Sequence, residues 1–226
     1  PARQVTTTTA VARSASKPPR TAAPIAASQE LVSLLQPHEA RNKPGSGSKS
    51  LGVVPARTPI TEERTVLPVL AHTHRWLKVR LPGRPNSHAG WIKRTASHLW
   101  ATDWRIALDL SRRKVVVYRA SKPVRTFMAV IGKPSTPTPT GHFFVEESLA
   151  LGPTDLGAPF ALALSARSDV FQEFAGGPGQ IAIHGVNNIG GVLGTAVSHG
   201  CVRLSGEAMR WLVYHVKPGV PVTITS

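Results

Sequence analysis

Cysteine is almost missing from these 226 residues: Cys201 stands alone. A single thiol excludes an internal disulfide framework and a cysteine-rich zinc module, and leaves the sulfur either as buried filler or as a reagent. Acidic residues are scarce too, 12 against 27 Lys and Arg, for a net charge of +15. Such a field draws polyanions. Yet the basic residues are spread along the chain rather than gathered on one element beside stacking aromatics, which make up only 6% of the sequence. That pattern argues against nucleic acid as a partner and leaves other polyanions, such as teichoic-type polymers or acidic lipids. No uninterrupted apolar run reaches the ~18 residues that a membrane-spanning helix needs. The first residues also lack the charged-then-apolar pattern of a signal peptide, so any signal peptide or anchor is expected to lie outside this chain.

What is present divides the chain by texture. Residues 1–50 are rich in Ala, Thr, Ser, Pro, Lys and Arg ("TTTTAVARSASKPPRTAAP", "RNKPGSGSKS") and read as a flexible basic linker. Within them "SQELVSLLQPHEAR" places Leu31, Leu34 and Leu35 at helical spacing before Pro37. A helix of one or two turns is marginal in water, so a tether is the expectation there. Residues 51–98 alternate short apolar stretches with turn signals: "TVLPVL", "RWLKVRL" and "GWIKRT" fit strands, with "PGRPNSHAG" as a hairpin loop. In the second of these, Leu77, Val79 and Leu81 share one face and Trp76, Lys78 and Arg80 the other. A small all-β, barrel-like module is predicted.

From Ala101 to Ser226 the strand signals strengthen ("RIALDLSRRKVVVYRAS", "TFMAVIG", "HFFVEES", "QIAIHG"), predicting a mostly antiparallel sheet. One segment, "SGEAMRWLVYHVK", reads as helix, with Ala208, Leu212 and Val216 on one side and Pro218 and Gly219 beyond its end. The fold class is therefore mainly β with one C-terminal helical segment.

A cysteine attacks as thiolate, and with a free pKa near 8.5 it needs cations, backbone dipoles or a base to become one. His184 closes the apolar strand "IAI" and is followed by Gly185, which places an imidazole where the backbone turns. Gly200, directly before Cys201, lets main chain approach a reacting carbonyl, where backbone N–H groups would stabilise an oxyanion. The helix beginning near Ser205 would favour an anionic sulfur. Other readings stay open on residues alone: Cys201 as a small buried hydrophobe, zinc held by His184, His199 and Cys201, or Ser198 as nucleophile. The hydroxyl is the weaker reagent of the two.

Three stretches in order, "VIGKPSTPTPTGHFFV", "IAIHG" and "LGTAVSHGCVRLS", resemble the signature of the L,D-transpeptidases of the YkuD type. The resemblance covers Ala101 to Ser226, the 101–226 catalytic domain, and implies a YkuD-type β-sandwich. It implies Cys201 as nucleophile, His184 as general base oriented by the carbonyl of Gly185, and backbone N–H groups of His199, Gly200 and Cys201 as the oxyanion pocket. Arg203 and Ser198 would contact substrate, Arg203 by holding a stem-peptide carboxylate or by bracing the loop. The implied reaction joins third-position diamino residues of peptidoglycan stem peptides through a cysteine thioester, in an extracytoplasmic wall or periplasm-like space. Water as acceptor would make it an L,D-carboxypeptidase, and loss of chemistry would leave a wall-binding protein. β-Lactams of the carbapenem class are the implied inhibitors, and no metal or cofactor is required. Papain-like enzymes carry Cys before His in the chain, the reverse of the order here.

The 51–98 stretch is similar to SH3-like modules that accompany bacterial wall enzymes, which implies a wall-associated accessory module whose removal should weaken attachment to walls more than chemistry on a soluble donor. The Gly- and Pro-rich segment 147–179 is the expected cover over the thioester. Two departures from the family pattern, Val186 after the first His-Gly and three glycines in "VNNIGGVLGTAV", predict a looser loop there.

Overall fold

The computed structural model describes residues 25–173 and 177–226. Its first half is one seven-stranded sheet: β1 (Gln29–Leu34), β2 (His38–Arg41), β3 (Ser50–Val54), β4 (Val66–His72), β5 (Trp76–Arg80), β6 (Ala89–Lys93) and β7 (Ser97–Thr102). The strand order is β3-β2-β6-β5-β4-β1-β7. The alternation in β5 acts as its sequence predicts, since Leu77 and Val79 enter a core with Val32, Leu34, Leu67 and Ile92.

The linker expected over 1–50 is corrected from residue 29 onward, while residues 1–24 lie outside the described residues. β1 and β2 are integral to the sheet, and the Leu-rich stretch expected as tether is a strand whose last four residues are all buried. Its helical-looking spacing arises because both faces of β1 are covered, which erases the two-residue alternation. Val32 and Leu34 face the module core, while Leu31 lies against the backbone of Gly219 in the second half, where a Cβ would come within 3.1 Å of it. The expected module limits, 51–98, are too narrow for the same reason, because β7 also extends to Thr102.

The second half contains β8 (Trp104–Asp109), β9 (Lys114–Arg119), β10 (Lys122–Met128), β11 (Ile131–Gly132), β12 (Gly141–Ala150), β13 (Phe160–Arg167), β14 (Gln180–Gly185), β15 (Ala196–Ser198), β16 (Val202–Leu204), α1 (Gly206–His215) and β17 (Pro221–Thr225). Eight of these strands form a sheet in the order β10-β9-β8-β17-β12-β13-β14-β16. Most pairings are antiparallel, but β8–β17, β14–β16 and β11–β15 are parallel. α1 starts at the N-cap Ser205, whose Oγ accepts from Ala208 N at 3.1 Å. It buries Ala208, Met209 and Leu212, and Val216 at its C-cap is buried as well.

The two halves are not beads on a string. Along β12, Phe143 and Val145 enter the core of the second half, whereas Phe144 enters the core of the first. The fully buried Glu147 carboxylate accepts through Oε2 from Ile60 N (3.1 Å), Thr61 N (2.7 Å) and Thr61 Oγ1 (2.9 Å).

Candidate active site

The site is built by one parallel pairing. β14 and β16 run side by side with His184 opposite Arg203 and Ile183 opposite Val202. Cys201 immediately precedes β16, so neighbouring strands, ~4.8 Å apart, bring the imidazole and the thiol together. Ala182, on β14, donates its N–H to Cys201 Sγ at 3.4 Å. Both side chains line an open cleft, with Ser168, Phe171, His199 and Arg203 among its walls. Cys201 is partly exposed there.

The imidazole is tightly seated. His184 Nδ1 lies 2.8 Å from Gly185 O. A carbonyl can only accept, so Nδ1 carries the proton and Nε2 is left as the basic nitrogen. Gly185 N donates to Gly157 O at 2.7 Å. A Cβ on Gly157 (φ +87°) would stand 2.4 Å from His184 Nδ1, and one on Gly185 1.9 Å from Ala158 O, so neither position admits a side chain.

The thiol loop is held from beneath. Ser198 is fully buried; its Oγ donates to Cys201 O at 2.5 Å and accepts from Gly200 N at 3.2 Å. Thr138 Oγ1 donates to Gly200 O (2.8 Å) and accepts from Gly132 N (2.9 Å), while Thr136 Oγ1 donates to Ser198 O (3.2 Å). Gly200 takes φ +119°, a conformation that L side chains rarely adopt.

Burial sets the electrostatics. It holds the His184 imidazole below its ordinary range, against the Gly185 carbonyl, which favours the protonated ring, and with help from the Arg203 charge. It pushes the Cys201 thiol up, against the Ala182 N–H and Arg203, which favour thiolate. The anionic sulfur expected from the nearby helix start therefore gives way to desolvation. Arg203 donates Nη1 to Gly190 O at 3.1 Å, and its buried Nε has no partner among the described residues.

The profile of the L,D-transpeptidase catalytic domain, YkuD, matches residues 103–224, more than half of the sequence. The chain belongs to this family. L,D-transpeptidase 1 of Mycobacterium tuberculosis is 26% identical over 205 residues, covering 77% of this chain and 78% of its own length. A YkuD protein of Bacillus licheniformis is 31% identical over 125 residues, 54% of this chain and 66% of that one. Among solved structures, M. tuberculosis L,D-transpeptidase 3 with a faropenem-derived adduct aligns at a TM-score of 0.47 and 16% identity, covering 72% of this chain and 91% of the other. An Enterococcus faecium L,D-transpeptidase aligns at 0.42 and 21% identity, covering 54% of this chain, which spans about half (49%) of that one.

Within this L,D-transpeptidase domain the expected residues divide by position. Cys201, His184, His199 and Arg203 meet in the cleft, and Gly185 lies behind the ring. The buried Ser198 hydroxyl, expected at substrate, is engaged twice within the loop, and the Gly200 N–H expected in the oxyanion pocket is bonded to that hydroxyl. The expected cover over 147–179 is strand in part, since β12 and β13 take 147–150 and 160–167. Of what remains, Ser168, Phe171 and Gly179 border the cleft, and residues 174–176 lie outside the described residues. The glycine-bearing spacer is tied rather than loose: Asn188 Nδ2 donates to Pro153 O (2.8 Å) and Asp155 O (2.9 Å). Sequence reasoning missed Gly157, Thr136 and Thr138. The two threonines stand in a stretch that carried the resemblance, yet their work, bonding carbonyls of the distant thiol loop, leaves no mark in local pattern.

Proposed function

We propose that this protein is a peptidoglycan L,D-transpeptidase that acts outside the membrane, where stem peptides lie. The observation that supports it most is the β14–β16 register, which puts the basic nitrogen of His184 and the sulfur of Cys201 in one open cleft. Cys201 Sγ passes its proton to His184 Nε2 as it attacks the carbonyl that links the third-position diamino residue to the terminal D-Ala. Collapse of the tetrahedral adduct breaks the C–N bond. The imidazolium returns its proton to the departing D-Ala amine, and a thioester remains. The side-chain amine of a second stem then attacks, gives its proton to His184 and displaces the sulfur, forming the bridge. Arg203 lines the cleft, and its positive charge suits a substrate carboxylate beside the reacting carbonyl. The protein's positive charge favours approach to anionic wall polymers.

Intact-mass analysis after incubation with a tetrapeptide stem or a carbapenem tests this. The expected result is one covalent adduct on Cys201 in the native chain and none in Cys201→Ala, with unchanged circular dichroism. Turnover that survives in Cys201→Ala would overturn the mechanism. Muropeptide analysis with a second stem present separates bridge formation from hydrolysis.

A further inference from the structure

One wall of the cleft is held by the other half of the molecule. Between β5 and β6 the chain turns through residues 81–88, and the tip of this turn runs along the segment that follows β13. Gly83 N donates to Ser165 O at 3.1 Å. Asn86 accepts from Arg167 N through Oδ1 (2.8 Å) and donates through Nδ2 to Arg167 O (2.7 Å) and to Asp169 Oδ1 (3.0 Å). Its side-chain amide thus serves both backbone groups of Arg167, as a paired strand residue would.

Arg84 does the more telling work. Its Nη2 donates to Ser168 O (2.8 Å) and Phe171 O (2.9 Å), and its Nη1 to Pro178 O (3.0 Å). One guanidinium therefore ties residues 168 and 171 to residue 178. The two stretches also meet directly, Ser168 N donating to Gly179 O at 2.7 Å. Gly179 takes φ +65°, and a Cβ there would stand 2.1 Å from Phe171 O and 3.2 Å from Arg84 Nη2, so bare backbone is what allows the closure. A rigid planar fork can serve three carbonyls held in this arrangement; an ammonium on a flexible stem cannot hold the same set. Ser168, Phe171 and Gly179 line the cleft with Cys201, and the Phe171 ring stands 6.1 Å from that of His199.

We propose that Arg84, seconded by Asn86, is a positioning residue for the acyl donor, so that the N-terminal β module shapes one wall of the catalytic cleft. The inference rests on acylation at Cys201, as proposed above. The mechanism itself requires only His184 and Cys201, neither of which Arg84 touches. Loosening the clamp disturbs the wall that a stem peptide must lie against and leaves the thiol and its base in place.

The test uses the full chain and the variants Arg84→Ala, Arg84→Lys and Asn86→Ala. Acylation by a tetrapeptide stem and by a carbapenem is compared with alkylation by iodoacetamide, which needs only the thiol and its base. Arg84→Ala is expected to lower kcat/KM for the stem by about tenfold, chiefly through KM, as misplacement of a binding wall does. The rate and pH profile of alkylation should stay as in the native chain. Arg84→Lys should fail to restore KM, and it carries the readout if the alanine variant does not fold. Native donor kinetics in Arg84→Ala, or a parallel loss of alkylation and acylation in all three variants, would overturn the inference while the native chain still acylates. A native chain that neither stem nor carbapenem acylates would overturn the Cys201 reading, and this one with it.

Discussion

Burial raises the Cys201 thiol above its ordinary value and lowers the His184 imidazole below its own, so both shifts favour the neutral forms. A preformed thiolate–imidazolium pair would require the opposite shifts. In the proposed mechanism these shifts favour proton transfer during attack over a preformed ion pair, with Nε2 as the base because the Gly185 carbonyl holds the proton on Nδ1. The sign of the pH dependence follows. His184 loses its basic form only when pH falls through its depressed value, so the acid limb of acylation should lie below the ordinary histidine value of about 6.5. Alkylation of Cys201 should rise only above the ordinary thiol value of about 8.5. Stopped-flow carbapenem acylation and iodoacetamide rates across pH 5–10 check both, and an alkylation plateau near pH 6 would reveal an ion pair instead.

Among the elements, β12, β13 and β14 are tied by a buried polar knot. Glu146 Oε2 accepts from Arg167 Nη1 and Nη2, both at 3.3 Å, and from Gln180 Nε2 at 2.9 Å. Desolvation raises the Glu146 pKa while Arg167 opposes the rise. Removing one partner leaves the other buried charge uncompensated, which costs about 3–5 kcal/mol. Glu146→Ala should therefore melt well below the native chain in calorimetry. It should also weaken donor binding, because Gln180 borders the cleft and Arg167 carries the Asn86 contacts. These strands were readable from alternation and turn residues, and α1 from its apolar spacing and its stop at Pro218. The thiol and imidazole were readable because the chemistry demands those residue types in a recognisable local frame. β1 was not, since a strand covered on both sides has no alternation to show. Nor were the parallel registers of β14 with β16 and of β8 with the distant β17, which pair segments through backbone groups common to every residue.

On the scale of the whole molecule, the accessory module, expected to matter more for wall attachment than for chemistry, is tied into the catalytic half although each half has its own core. Phe144 leaves β12 to fill the module, Glu147 caps the 60–61 backbone, and Leu31 lies against Gly219. A chain beginning at residue 103 would expose Phe144, forfeiting about 1.5–3 kcal/mol for that ring alone, and would leave Glu147 without its donors. It should give low soluble yield and a broadened melt by circular dichroism, whereas the full chain should unfold in one calorimetric transition. A well-folded, fully active 103–226 fragment would contradict this expectation.

The opposite destinations of Phe143 and Phe144 also limit how such a gene can change over time. Loss or gain of one codon just upstream within β12 would swap which ring enters which interior, damaging both halves with a single lesion. Surface tips such as 43–48 carry no such parity constraint, so length variation among viable descendants should gather there.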